Sequence, residues 1–218
     1  HSHGVVALSR VGYIVEQITK LVNNGVQVIL VSSGSVGIGK KKLDKLKNIS
    51  KDMDTNSKDI MMRSYAATGQ GNLMGIYDYM FSYYDVTCSQ VLLTDGDFQI
   101  RERRKNLKQT LLTLLDHGVV PILNENDVIS LRRMPIRDDH GDILWDNDSL
   151  ACLVGAELNM DLVVLLSDID GLYKKPPSND DNNEDNSNLE VIHNYIPSIH
   201  GNGNGFEIGN KSRVGRGG

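Results

Sequence analysis

Cysteine is scarce in this 218-residue chain: Cys88 and Cys152 are its only two. Two cysteines indicate no disulfide framework and favour an intracellular setting. Both are expected to be small buried apolar residues. An excess of basic residues is also missing. With 23 Lys and Arg against 28 Asp and Glu, the formal net charge of −5 argues against nucleic acid as the main partner. No apolar run is long enough to span a bilayer, and no signal peptide is visible at the start. His1, His3, His117, His140, His193 and His200 lack the spacing of metal ligands and read as surface or cap residues, so no metal site is expected. What remains, 39% hydrophobic and 23% charged residues, is ordinary for a soluble globular protein with one domain and a sizeable core.

Short apolar runs at residues 26–31, 119–123 and 162–166 are rich in Val, Ile and Leu and do not alternate. That is the pattern of parallel strands covered on both faces. Helical patterns lie between them. Val11, Ile14, Val15, Ile18, Leu21 and Val22 recur at helical spacing before Asn23-Asn24-Gly25. Leu107, Leu111, Leu112, Leu114 and Leu115 mark a second helix, with Gly118 placed for a left-handed cap. Residues 61–81 read as helical at both ends, while Gly69 and Gly71 point to a break or a close backbone approach. Strands alternating with helices imply an α/β fold with a mostly parallel sheet. The Asn-, Asp-, Glu- and Ser-rich stretch 178–188 is expected to be a mobile solvated loop, and the Gly-Asn alternation at 201–205 a flexible connection.

Two Asn/Asp clusters flank apolar runs. Asn124-Glu125-Asn126-Asp127 follows the run 119–123, and Asp146-Asn147-Asp148-Ser149 precedes the helix-like Leu150-Ala151-Cys152-Leu153-Val154. These residue types serve at strand ends, turns and helix N-caps, and in open α/β sheets strand ends are where ligands sit. A third candidate is Gly34-Ser35-Val36-Gly37-Ile38-Gly39-Lys40, a Gly-rich turn after a strand, where backbone N–H groups favour an anion. It nearly satisfies the P-loop pattern, but Lys41 stands where a hydroxyl must reach the metal. It fits no dinucleotide fingerprint. The plain alternative is tight strand–helix packing, with Lys40-Lys41-Lys42 a solvated face.

Read in order, several strings resemble the glutamate 5-kinases, and more particularly the kinase half of the bifunctional pyrroline-5-carboxylate synthases. They are Val31-Ser32-Ser33-Gly34-Ser35-Val36, Ala66-Ala67-Thr68-Gly69-Gln70, and Val119 through to Asn124-Glu125-Asn126-Asp127. Asp146-Asn147-Asp148-Ser149-Leu150-Ala151, Leu165-Leu166-Ser167-Asp168-Ile169-Asp170-Gly171 and Lys211-Ser212-Arg213-Val214-Gly215-Arg216-Gly217-Gly218 follow. Order and spacing together make the match specific over nearly the whole chain. The resemblance implies an amino-acid-kinase fold: a three-layer α/β/α sandwich around a mostly parallel sheet, here one incomplete domain over 1–218. It also implies transfer of the ATP γ-phosphoryl group to the side-chain carboxylate of L-glutamate with Mg²⁺, the first step towards proline.

The same resemblance assigns roles. Ser33 and Gly34 would hold glutamate, Asp127 its ammonium group, with Asn124 and Asn147 assisting. Asp148 would organise the transfer. Ser167 and Asp168 would bind the nucleotide, with Arg216, Gly217 and Gly218 bordering its phosphates. The bland readings are a helix N-cap for Asp127 and for Asp148, and a plain turn for Ser167 and Asp168. A homo-oligomer, a following reductase domain, and a cytoplasmic or mitochondrial location are all compatible with the family. The other readings are a superfamily member with a different acceptor, a non-catalytic module on the same fold, and a P-loop NTPase in which Lys40 would be indispensable for nucleotide.

The family also carries a lysine on a first strand and another just beyond the Gly-Gly loop. Neither is found in this chain, whose start and end both read as abrupt, as in a fragment. One electrostatic group of that kind is worth about 10²–10³ in rate. The 218 residues alone are therefore expected to show no turnover with ATP and glutamate, which ADP release would measure; clear turnover would refute the expectation.

Overall fold

A computed structural model of the chain describes residues 6–46, 55–130, 136–138, 141–143, 146–167, 172–173 and 191–192. The first helical pattern becomes α1, Leu8–Asn23, which buries Val15, Ile18 and Thr19. It stops where expected: the Asn24 amide donates to the Lys20 carbonyl at 2.7 Å. Gly25 then turns left-handed at φ +80°, a region that glycine enters without steric cost. Of the apolar run 26–31 only Leu30–Val31 is strand, β1. The pairing sets its length, because only Leu30 and Val31 face partners, Ile122 and Leu123.

Helix α2, Ser35–Leu46, follows β1 directly, and α3 spans Thr55–Ser82 without interruption. Strand β2, Cys88–Leu93, has no counterpart among the sequence expectations. Its Cys-Ser-Gln start hides it from a search for apolar runs. The short α4, Gly96–Gln99, leads into α5, Arg101–Asp116, with Leu107, Leu111 and Leu115 buried along one face. At its end the His117 ring Nδ1 lies 2.7 Å from the Thr113 carbonyl, and Gly118 takes φ +70°, both as cap residues should. Then come β3, Val120–Glu125; an antiparallel pair, β4 Ile136–Asp138 with β5 Gly141–Ile143; and α6, Asn147–Leu158. Two further short strands, β6 Leu172–Tyr173 and β7 Val191–Ile192, pair antiparallel.

β1, β3 and β2 form a parallel sheet in that order. Every residue of the central β3 is buried. Its neighbours in sequence point to opposite faces. Val120 and Ile122 pack with Val15 and Ile18 of α1 and with Leu73, Tyr77 and Phe81 of α3. Leu123 packs instead with Leu93, with Leu107 and Leu111 of α5, and with Leu150 and Val154 of α6. Each large apolar side chain so buried contributes about 1.5–3 kcal/mol. The described residues divide into two compact units, those up to Val163 and those from Val164 onward. The three-stranded sheet and helices α1 to α6 lie in the first, β6 and β7 in the second.

Two expectations need correction. Residues 162–166 are not a buried strand: Leu162, Val163, Val164, Leu165 and Leu166 are all exposed and outside the sheet. An apolar run reads the same whether or not a neighbouring strand pairs with it, and only the pairing makes a strand. The cysteines are not both buried. Cys152 is exposed and Cys88 half-buried, its thiol pushed up to about 11 by that burial and by Asp78. The stretches 178–188 and 201–205 lie outside the described residues.

The glycines of α3 break nothing. Gly69 sits against the start of α2: a methyl there would run into the Ser35 carbonyl and reach 2.6 Å from the Gly39 amide nitrogen. Gly39 answers from the other side, where a Cβ would lie 2.9 Å from the Gly69 nitrogen. The two helices thus touch backbone to backbone. Around Gly71, by contrast, a Cβ would meet nothing within 4 Å. Gly69→Ala is expected to destabilise the protein by about 1–3 kcal/mol through overpacking. Gly71→Ala should stabilise it by about 0.5–1 kcal/mol. Chemical denaturation of the two variants checks the contrast, and similar effects from both would remove the packing argument.

Candidate functional site

Parallel strands bring their carboxyl ends to the same edge of a sheet, where open α/β proteins bind ligands. Here β1 and β3 end side by side. The ladder runs one residue past β1, with the Ser32 N–H donating to the Leu123 carbonyl at 2.9 Å. Ser33 and Gly34 therefore leave β1 beside Asn124, Glu125, Asn126 and Asp127 leaving β3. Gly34 sits at φ +121°, a conformation side chains resist, and that turn starts α2 at Ser35.

The polar side chains of this edge form one network. The Asn124 amide nitrogen donates to Gln70 Oε1 of α3 at 2.9 Å and, at the outer limit of 3.5 Å, to Ser35 Oγ. Asn124 Oδ1 accepts from the Glu125 N–H at 2.9 Å and from Asn147 Nδ2 at 3.2 Å. The same Asn147 nitrogen lies 3.4 Å from the Ser32 carbonyl. The Ser35 hydroxyl donates to Asp127 Oδ2 at 3.3 Å. Asn147 Oδ1 is buried and makes no hydrogen bond to the described residues, so among them an acceptor is left over at this edge. Below it, Ser32 Oγ and the Tyr77 hydroxyl are 2.9 Å apart. Burial raises the Tyr77 phenol, with the Ser32 hydrogen bond opposing the shift. It therefore stays protonated at neutral pH. Ser130 donates a short hydrogen bond to the buried Glu125.

The two bland alternatives for the aspartates fail. Asp127 lies in a turn, with no described helix after it to cap. α6 is capped by Asp146, whose Oδ1 accepts from the Ser149 N–H at 2.9 Å. Asp148 stands in the first turn with its side chain exposed. The P-loop reading fails as well. From Ser35 onward the Gly-rich string is helix, with Gly39 buried against the Tyr65 backbone and Lys40 exposed. No loop is left to cradle a phosphate.

Ser33, Gly34, Asn124, Asp127 and Asn147 thus meet at one edge, with Asp148 next to Asn147 in sequence. Ser167 is exposed, in the second compact unit. Asp168, Arg216, Gly217 and Gly218 lie outside the described residues. Ser32, Ser35, Gln70 and Tyr77 were given no role by the sequence reading. Ser32, Ser35 and Gln70 lie in strings it singled out. Among the described residues no group of three or more His, Cys, Asp or Glu could hold a metal, and no helix is long and apolar enough to cross a membrane. The N-terminal turns of α2 and α6 carry positive potential for an anion, worth about 0.3–1 kcal/mol each. Asp127 offers a carboxylate to a cation. The arrangement suits a small zwitterion.

The site aspartates separate by their roles in stability. Asp146→Ala is expected to cost about 1 kcal/mol through the lost cap. Asp148→Ala should cost only about 0.3–0.5 kcal/mol through the helix dipole. Urea unfolding of both variants decides, and the reverse order would reassign the cap.

Comparison with known proteins gives a consistent picture. The profile of the amino acid kinase family matches residues 5–195. The delta-1-pyrroline-5-carboxylate synthase of Solanum lycopersicum is 47% identical over 218 residues, covering 99% of this chain and 29% of its own length. Delta-1-pyrroline-5-carboxylate synthase 1 of Oryza sativa subsp. japonica is 46% identical with the same coverage. The glutamate 5-kinase of Clostridium acetobutylicum is 38% identical over 178 residues, which are 82% of this chain and 61% of that protein. The chain thus spans 29% of the length of these two synthases.

Proposed function

We propose, from the premise that this chain belongs to the amino acid kinase family, that it is the glutamate 5-kinase region of a bifunctional pyrroline-5-carboxylate synthase. The observation that carries this reading is the convergence of Gly34, Asp127 and Asn147 on one strand edge. Identity of 47% across 218 residues supports it. The fold that goes with the reading is the three-layer α/β/α sandwich of the family. Apolar clusters on both faces of β3 support that architecture.

In the proposed reaction an oxygen of the glutamate side-chain carboxylate forms a bond to the γ-phosphorus of ATP. The bond from that phosphorus to the bridging oxygen breaks, and ADP leaves with γ-glutamyl phosphate as the product. The acceptor is ionised at neutral pH, so no strong base is needed. The work is to hold two anions in line and to offset the charge that develops. Asp127 takes the α-ammonium group. Ser33 and the Gly34 N–H orient the carboxylates, while Asn147, held by Asn124, turns its Oδ1 acceptor to the α-ammonium group beside Asp127. Asp148, exposed and free of capping duty, organises the transferring group. Ser167, Asp168, Arg216, Gly217 and Gly218 bind the nucleotide. Mg²⁺ offsets charge on the nucleotide phosphates when bound. This ion is usually held by phosphates, waters and one or two carboxylates, and the exposed Asp148 carboxylate would be the one to reach it.

The test is ADP release by the full-length protein with glutamate, aspartate, N-acetylglutamate or UMP as acceptor. Glutamate alone is expected to support turnover. Asp148→Ala should lower kcat by about 10²–10³-fold. Asp127→Asn should raise the glutamate KM by about 10–100-fold, the range for a hydrogen bond to a charged group, and leave the KM for ATP unchanged. Turnover of another acceptor, or a wild-type glutamate KM in Asp127→Asn, would overturn the reading.

A further inference from the structure

The Ser33–Gly34 turn receives a connection from inside the core. Tyr77 is 6% exposed and Ser32 7%. Their hydroxyls are 2.9 Å apart, across 45 residues of sequence. The Ser32 hydroxyl in turn directs its proton to the Ser33 carbonyl, at 3.4 Å. When the Ser32 proton points to that carbonyl, the Tyr77 O–H donates to Ser32 Oγ. The relay is then Tyr77 O–H to Ser32 O–H to the Ser33 carbonyl. Its last member matters because the Ser33 carbonyl and the Gly34 N–H belong to one planar peptide group. Fixing the carbonyl fixes the direction of the N–H. Ser32 is tied on its other sides too: its N–H extends the ladder to Leu123 at 2.9 Å, and its carbonyl faces Asn147 Nδ2 at 3.4 Å. A hydroxyl in a loop would wander among rotamers, whereas this one is held by a phenol that is itself packed among Val15, Leu73, Phe81 and Ile122.

We propose that Tyr77 is a positioning residue for substrate: through Ser32 it sets the Ser33–Gly34 peptide that faces the amino-acid substrate. The inference rests on the proposed function. Tyr77 touches no substrate and takes no part in phosphoryl transfer, so its effect falls on binding of the acceptor. It does not fall on ATP.

The experiment is a double-mutant cycle in the full-length protein, with Tyr77→Phe, Ser32→Ala and the pair. Tyr77→Phe keeps the ring in the core and removes only the hydroxyl. Each single variant is expected to raise the glutamate KM about three- to tenfold, the range for one neutral hydrogen bond. The values of kcat and of the KM for ATP should stay within about twofold. The double variant should be no worse than the worse single one, since both break the same relay. A Tyr77→Phe protein with lowered Tm and an unchanged glutamate KM would overturn the proposal and leave Tyr77 a core residue. Additive effects in the cycle would overturn it as well, by making the two hydroxyls independent. If the wild-type protein turned over no glutamate, the proposed function itself would fall, and this inference with it.

Discussion

The side chain of Asn124 is almost wholly buried at the end of β3, at 3% exposure, and a buried amide must have its hydrogen bonds met. It has two donor and two acceptor positions, and each is directed at a group nearby. Gln70 of α3 and Ser35 of α2 take the donors; the Glu125 N–H and Asn147 of α6 take the acceptors. One side chain therefore holds three helices against the tip of a central strand. Removing it would leave several polar atoms unpartnered in a region shielded from water, at about 1–3 kcal/mol for each buried group. Because the partners lie far apart in sequence, the network closes only when the fold does. The polar edge is thus assembled by the same event that builds the core.

That network needs α2 close to α3, and the glycine contact supplies the closeness. Gly39 and Gly69 let the helix backbones touch, which side chains of any size would prevent. The approach puts the first residue of α2, Ser35, within reach of both Asn124 and Asp127. It also turns the N-terminal end of α2 toward the strand edge, where its unpaired N–H groups act as a fixed positive potential. Packing, electrostatics and ligand chemistry are here consequences of two missing methyl groups. The mid-helix position of Gly69 costs about 0.5–1 kcal/mol of helix propensity relative to alanine. The contact it permits sets the geometry of the site.

Local signals in the sequence revealed much of this. Asn124, Asp127, Asn147 and Gly34 stand out because their residue types do not belong inside regular elements, and each adjoins an apolar run. The helix ends at Gly25 and Gly118 were legible for a similar reason. What escaped was set by partners distant in the chain. Ser35 gains its role from a residue 92 positions away and Tyr77 from one 45 positions away, and no periodicity encodes either. The strand Cys88–Leu93 was missed because Ser89 and Gln90 interrupt its apolar character, although its full length pairs with β3. Residues 162–166 erred in the opposite direction: apolar content announced a strand, while strand pairing, a property of two segments, did not follow.

The elements that hold the turn at Gly34 are uncharged. Tyr77, Ser32, Gln70 and Asn124 are hydroxyls and amides, whereas the aspartates stand at the outer edge, Asp148 exposed and Asp127 partly so. Glu125 is the exception, a buried acid whose carboxyl is met by Ser130; for the rest the division follows from solvation. A charge placed at the depth of Tyr77 would cost several kcal/mol to strip of water, and its field would act on any bound anion in both ground and transition states. Neutral hydrogen bonds fix direction with little long-range field, and in a shielded interior each reinforces the next. The inner layer can therefore be rigid without biasing the charge balance of the reaction. The outer layer lies nearer to solvent. Rearranging the inner layer should change how well a ligand is held. Of the outer layer, Asp127 shares in that hold through Ser35, whereas Asp148, exposed on the first turn of α6, can be altered without disturbing it.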